Sequence, residues 1–570
     1  MKTLSVLLLS ALFFILPARC ATITWTNTAG GYWSDATNWS PNLVPGAADT
    51  AVLPSAASNG AALDMTVTLQ NLILNGGVLG TTEYSYDTLT VSGEINWTNG
   101  TLGCVVTNNG VTTLAGGDGV NYSLLAFFYN AGTFNLLSGN LLVNYCGANS
   151  GGFENASNAL VDFQGDSSID VSSNQFGLCS PPFSNEGVIR KSGGSGTSFL
   201  YVPADNSGIL DAQSGTLSLN GGGTVNGTLQ SEGTGAFVLA SNIYGNAPLI
   251  LNGNLAATNA FLEGANLVGN GTISGVLTWV SGSLVSGSSG LIVEPTGVLV
   301  LAGTNGGDYS LNAALYNLGT VKLVSGNLLI NYCGSAFGEL INDPTGLVDI
   351  QNDVAVVSTC GGEIVNQGTF RKSGGTGTSD IGAYLNNSSG LIDAQSGVIA
   401  LTNNYDLTDG SVNIGVNSLT SYGHISLAGT SPLSGALNLD LNNGYIPANG
   451  NAFPIMTYTT DSGTFNPLNI PPWINWQTNY GPTSLTLTVV NLQGQPVLAA
   501  PVIPPSGQLT FQFAGNPKAS YSVLAATNLL VPLTNWTVIG SATLVSNDLF
   551  QFVDTQPRTN SERFYRLSSQ

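Results

Sequence analysis

Apolar and polar residues alternate with period two along most of the chain, in short runs divided by Gly, Asn, Ser and Thr. Such runs predict half-buried β-strands, because successive side chains of a strand point to opposite faces. Strings such as LVDFQG at 160–165, VIRKSGG at 188–194 and LIDAQSG at 391–397 share one design, small residue first and then alternation. The starts fall near Gly132, Ala159, Gly187 and Gly208, and again near Gly319, Gly346, Gly368 and Gly390. Spacings run from 21 residues (187 to 208) to 28 residues (159 to 187).

Two places after each start stands Phe134, Val161, Ile189 or Leu210, and then Val321, Val348, Phe370 or Ile392. This apolar column should point inward in a stack of strands. The next column should point outward. It reads Asn135, Asp162, Arg190, Asp211, and then Lys322, Asp349, Arg371, Asp393. In the second set the signs alternate, and stacked strands lie ~4.8 Å apart, so these side chains should be neighbours. Two readings compete. One is a ladder of ion pairs that fixes register between coils. The other is a binding strip for acidic glycans, made of Arg190, Lys191, Lys322, Arg371 and Lys372. The ladder is favoured, since exposed alternating charges cancel any net field.

A longer repeat contains the short one. Residues 97–222 match residues 279–404, with SGNLLVNYCG at 138–147 answering SGNLLINYCG at 325–334, and Arg190-Lys191-Ser192 answering Arg371-Lys372-Ser373. Coils of this length, each giving short strands, are the mark of a parallel β-solenoid. The expected fold is therefore all-β, a right-handed parallel β-helix over 97–430. An N-terminal cap and first coils take 21–96, where Trp25, Trp33 and Trp39 read as a lid over the open end. A sugar-binding aromatic platform is the rival reading of those tryptophans. A second cap is expected over 431–492, a Pro- and Gly-rich linker over 493–508, and a small β-sandwich over 509–570.

Composition narrows the function. Charged residues are 8% of the chain, with 11 basic and 32 acidic, a net charge of −21. Ordinary soluble domains carry about 25%. Nucleic-acid binding is excluded by the shortage of cations that would neutralise phosphates, and the single His, His424, excludes most His-dependent chemistry. Residues 1–20 read as a secretory signal: Lys2, the apolar run Leu4 to Leu16, then small Ala18 and Cys20 before a cut at Ala21. Acylation of Cys20 as a lipoprotein is the rival, with Arg19 a poor residue just before it. Removing two basic residues leaves 9 − 32 = −23. No later apolar run reaches the ~18 residues of a membrane span. An extracellular or cell-surface location follows as the expectation.

In an exported chain the twice-used cysteines predict disulfides Cys146–Cys179 and Cys333–Cys360. Free thiols or a metal site are the alternatives, and metal is disfavoured because His424 is the only possible His ligand and no CxxC spacing occurs. Cys104 aligns with Ser286 and reads as a partly buried free thiol. Gly196 and Gly377 lie in turns without the Lys-Ser/Thr of a phosphate loop, and no cofactor is expected.

The strings W…GG.W.D..NW…VPG..DTA at the start and YSVLAATNL…WTVIG…FQFVD…RFYRL at the end, with GTFRKSGG and SGLIDAQSG between, resemble large exported β-helix proteins of environmental bacteria. Their repeats are related to autotransporter passengers. The resemblance covers most of the mature chain and implies a surface or secreted protein. One departure is that no translocator barrel follows. Pectin-type hydrolases share the solenoid but use Asp-Asp pairs and a GHG string. Here no Asp-Asp occurs, and Gly423-His424-Ile425 is only an echo. Asp162, Asp349, Asp211 and Asp393 have basic neighbours, not second carboxylates. Lyase-type bases would have to be Arg190-Lys191 or Arg371-Lys372, whose repetition argues against it. The expected function is non-catalytic: adhesion, surface structure or contact with glycans or other cell-surface components. A polysaccharide lyase or glycoside hydrolase is the alternative.

Overall fold

The computed structural model describes residues 20–570 except 57–58, 82–86, 146–150, 172–180, 242–247, 286–289, 304–306, 493–497, 503–507, 547, 557–561 and 570. The signal segment thus lies outside the described residues, apart from Cys20. No α-helix occurs among the described residues. The chain forms a parallel β-solenoid of about 16 turns, followed by small antiparallel sheets. It divides into two compact units, residues 1–238 with 242–247 and residues 239–241 with 248–570. The first long repeat falls in the first unit and the second in the other.

From Val105 on, strands of the first unit pair in parallel with the third strand on, so a coil there has three strands. Val105–Asn108 pairs with Phe127–Asn130, Val111–Ala115 with Thr133–Ser138, and Asn121–Leu124 with Asn140–Val143. The apolar column is buried as expected: Phe134, Val161, Ile189 and Leu210 in this unit, and Val321, Val348, Phe370 and Ile392 in the other. Burying such a side chain contributes about 1.5–3 kcal/mol, and every coil repeats it.

The N-terminal tryptophans are core residues. Trp25, Trp33 and Trp39 are fully buried, with Trp39 packed edge-on against both others. They cover apolar surface and offer no platform to a sugar. Within 21–96, Thr50–Leu53 and Asn71–Thr81 already pair in parallel.

In the second unit the last parallel pairs are Ala452–Gly463 on His424–Leu433 and Leu468–Asn469 on Ala436–Leu441. On its other side Ala452–Gly463 pairs antiparallel with Ser484–Leu492, and that strand with Ile474–Tyr480. This antiparallel meander lies within residues 452–492. The final module has two three-stranded sheets around Phe511, Phe513, Tyr521, Val523, Phe550, Phe552 and Leu567. Part of the expected linker is not free: Ala499 donates to Gln512, and Val502 bridges Thr510.

Candidate functional site

The charged column forms in the expected register. Asp162 stands opposite Arg190, and Arg190 opposite Asp211. In the second unit Lys322 stands opposite Asp349, Asp349 opposite Arg371, and Arg371 opposite Asp393. Arg190 reaches Asp162 at 2.6 Å, and Arg371 reaches Asp349 at 2.9 Å.

The column is not an open strip, however. Asp162 is 2% exposed and Asp349 3%, and Asp211 and Asp393 are also buried. The reason is local. The Gln two places on folds back over each carboxylate: Gln164 on Asp162, Gln213 on Asp211, Gln351 on Asp349 and Gln395 on Asp393, at 2.6–3.3 Å. Burial works against the Asp162 and Asp349 carboxylates. Bonds from Arg190 or Arg371, the nearby Ser and the Gln, with the guanidinium charge, outweigh it and hold both below the usual carboxylate range. At Asp393 burial wins over Gln395, Asn413 and Arg371, and Asp440 adds to it, so that carboxyl is pushed up.

Lys191 and Lys372 do not belong to the strip. Both are 0% exposed and point into the coil corner. Lys191 Nζ donates to Asp166 Oδ1 at 2.9 Å, to the carbonyls of Gly165 and Gly193, and to Ser198 Oγ. Lys372 Nζ donates to Asp353 Oδ1 at 2.8 Å, to the Asn352 carbonyl and to Ser379 Oγ. The Asp is gripped in turn by the Gly196 or Gly377 N–H. Gly194 and Gly375 turn with φ of 73° and 74°, and a Cβ on either would lie 2.2 Å from the Asp oxygen. Only Gly fits there. The lysine bond, with its charge and the Gly N–H, outweighs burial and holds Asp166 and Asp353 low.

Of the five expected binding cations, Arg190 and Arg371 are therefore paired and partly exposed, and two are sealed inside. Lys322 is half buried between Val300 and Asp349 in register, and among the described residues it makes no ion pair.

One set of residues escaped the sequence reading. Asn108, Asn130, Asn155, Asn185 and Asn206 form a buried ladder, each Nδ2 donating to the next Oδ1 at 2.5–2.7 Å. Asn317, Asn342, Asn366 and Asn387 repeat it at 2.5–2.7 Å. The signal was present: an Asn stands a few residues before each coil start, as in YNAGT, SNEGV, DNSGI and VNQGT.

Cys333 and Cys360 are joined, with Cα atoms 5.4 Å apart. Cys146 and Cys179 lie outside the described residues. Cys104 is fully buried, and burial pushes its thiol up to about 12. That makes it an inert core residue. His424 is bound by the Pro454 carbonyl at 2.8 Å and by Thr457 Oγ1 at 3.1 Å. Burial holds its pKa below the ordinary value, so it is neutral and held at both nitrogens. Among the described residues no cluster of three or more His, Cys, Asp or Glu could hold a metal ion, and no helix is long and apolar enough to cross a membrane.

No protein-family model matches the chain, and no curated protein matches it significantly.

Proposed function

We propose that this is an exported, non-catalytic solenoid that serves adhesion or surface structure, with glycans or other cell-surface components as its contacts. One observation carries the reading. The most chemically loaded motif, Lys with Asp, Ser and a turn Gly, is built twice with nearly the same distances, and in both places its groups are spent on one another. A catalytic centre is ordinarily built once and leaves a group free to meet substrate. The Arg–Asp pairs likewise join successive coils. The disulfide Cys333–Cys360 fits an oxidising compartment outside the cytoplasm. Kinship with autotransporter-passenger-like proteins belongs to the same proposal and rests on the quoted strings.

Fractionation of the source cells tests the location: the account expects the protein at the surface or in the medium, and a cytoplasmic pool would overturn it. The contact surface is tested with a glycan array on the mature protein. Binding lost on Lys322→Ala would assign it to the column. Binding unchanged by Lys322→Ala would move it elsewhere.

A polysaccharide lyase or hydrolase is the competing reading. Its best support is Glu339 beside Glu363, where one carboxyl is pushed up. Burial first, and then the nearness of Glu363 directly opposite on the next strand, cause that rise. Glycosidase pairs stand about 5 Å or more apart, with the sugar between them.

A further inference from the structure

Glu339 and Glu363 face each other in register on successive coils, at the starts of Glu339–Asn342 and Glu363–Asn366. Like charges so placed repel. Each stands directly across one strand spacing from the other, so two ionised carboxylates would be costly there. Burial first, then the nearness and charge of Glu363, push Glu339 above the ordinary range. Among the described residues no ion pair involves either glutamate. Next in register are Ala314 on one side and Tyr384 on the other. Two places along the strands stand Ile341 and Val365, and two places before them, in the loops, Phe337 and Gly361.

The same two coils carry the Cys333–Cys360 disulfide, six and three residues before the two glutamates. Cys360 sits at φ 60°, a left-handed conformation rarely adopted by any residue but Gly. The disulfide therefore holds its turn in a conformation that a free chain would leave. Tyr332 and Phe337, packed edge-on, are 49% and 55% exposed on the loop it pins.

We propose that the loops 332–338 and 359–362 form a clasp with two locks, the in-register Glu339–Glu363 contact and the Cys333–Cys360 disulfide, and that it opens only when both are released. A dithiol releases the second lock: the S–S bond breaks, both cysteines become thiols, and the dithiol closes to its own disulfide. The first lock is released by deprotonation. The folded pair holds its proton more tightly than an unfolded Glu at about 4.3. Its contribution is thus full below that pH and lost as pH rises through the folded value. The aromatic loop is held in acid or oxidising surroundings and freed in neutral, reducing ones.

Amide exchange on the full chain, corrected for intrinsic rates, tests this at about pH 4, below the ordinary Glu value, and at about pH 8, well above it. In a Cys333→Ser/Cys360→Ser variant the two loops should exchange about two- to fivefold faster at the higher pH, the size of one cross-strand like-charge pair. Adding Glu363→Gln should abolish the difference, and the oxidised wild type should show none. Should the double variant misfold, wild type reduced by a phosphine gives the same comparison. No pH dependence with the disulfide open, or an equal dependence in Glu363→Gln, overturns the clasp.

Discussion

Lys372 Nζ lies 2.8 Å from Asp353 Oδ1 inside a coil corner, and Lys191 and Asp166 repeat the contact at 2.9 Å in the other unit. The lysine is sealed while the Asp side chain keeps 37% of its exposure. The two partners should therefore respond differently to loss. Asp353→Ala strands a buried cation and should cost about 3–5 kcal/mol. Lys372→Met leaves a carboxylate that water can reach and should cost about 2 kcal/mol. Denaturant titration of both variants checks the order; an equal or reversed cost would show that the corner is not held by the charge.

The Asn ladder should be cooperative along its length. Asn366 accepts from Asn342 and donates to Asn387 and to the Leu391 carbonyl. Asn366→Ala breaks the ladder on both sides and leaves two buried groups unpaired, about 2–6 kcal/mol at ~1–3 per orphaned group. Asn387→Ala, at the end, should cost roughly half as much. Thermal melts of the two variants decide the matter.

His424 sets a pH slope of known sign. Its folded pKa lies below the unfolded value of about 6.5, so the unfolded chain binds more protons. Stability from this site is full above about pH 6.5 and is lost as the pH falls towards the folded value. The melting temperature of wild type relative to His424→Gln should therefore fall on acidification through that window. A flat difference, or one that rises, would contradict the half-buried neutral imidazole.

Cys146 and Cys179 should be linked, as their counterparts Cys333 and Cys360 are. Peptide mapping without reduction should find both bridges, with Cys104 alkylated only after unfolding. Cys146 alkylated in the native, unreduced protein would refute the pairing.

The coil period, the inward column and the pairing of Asp162 with Arg190 were legible because strand alternation is strictly period two and stacking repeats it. Lys191 was misplaced outward for a plain reason: long cations are usually solvated. Period two put it inward, in the position held by Phe163 and Ala212 in neighbouring coils, and only the Asp166 corner makes that tolerable. The Gln covers over Asp162 and Asp349 were hidden because a side chain folding back two residues leaves no pattern. Glu339 and Glu363 were hidden because they meet only once register is known.

The central claim is that the polar groups of this solenoid hold coils together and do not turn over substrate. Incubating the mature protein with a panel of neutral and acidic polysaccharides, and measuring new reducing ends and unsaturated products, tests it most directly. The account predicts no product above a heat-denatured control with any glycan. Sustained product release, abolished by Arg371→Ala, His424→Ala or Glu363→Gln, would contradict it.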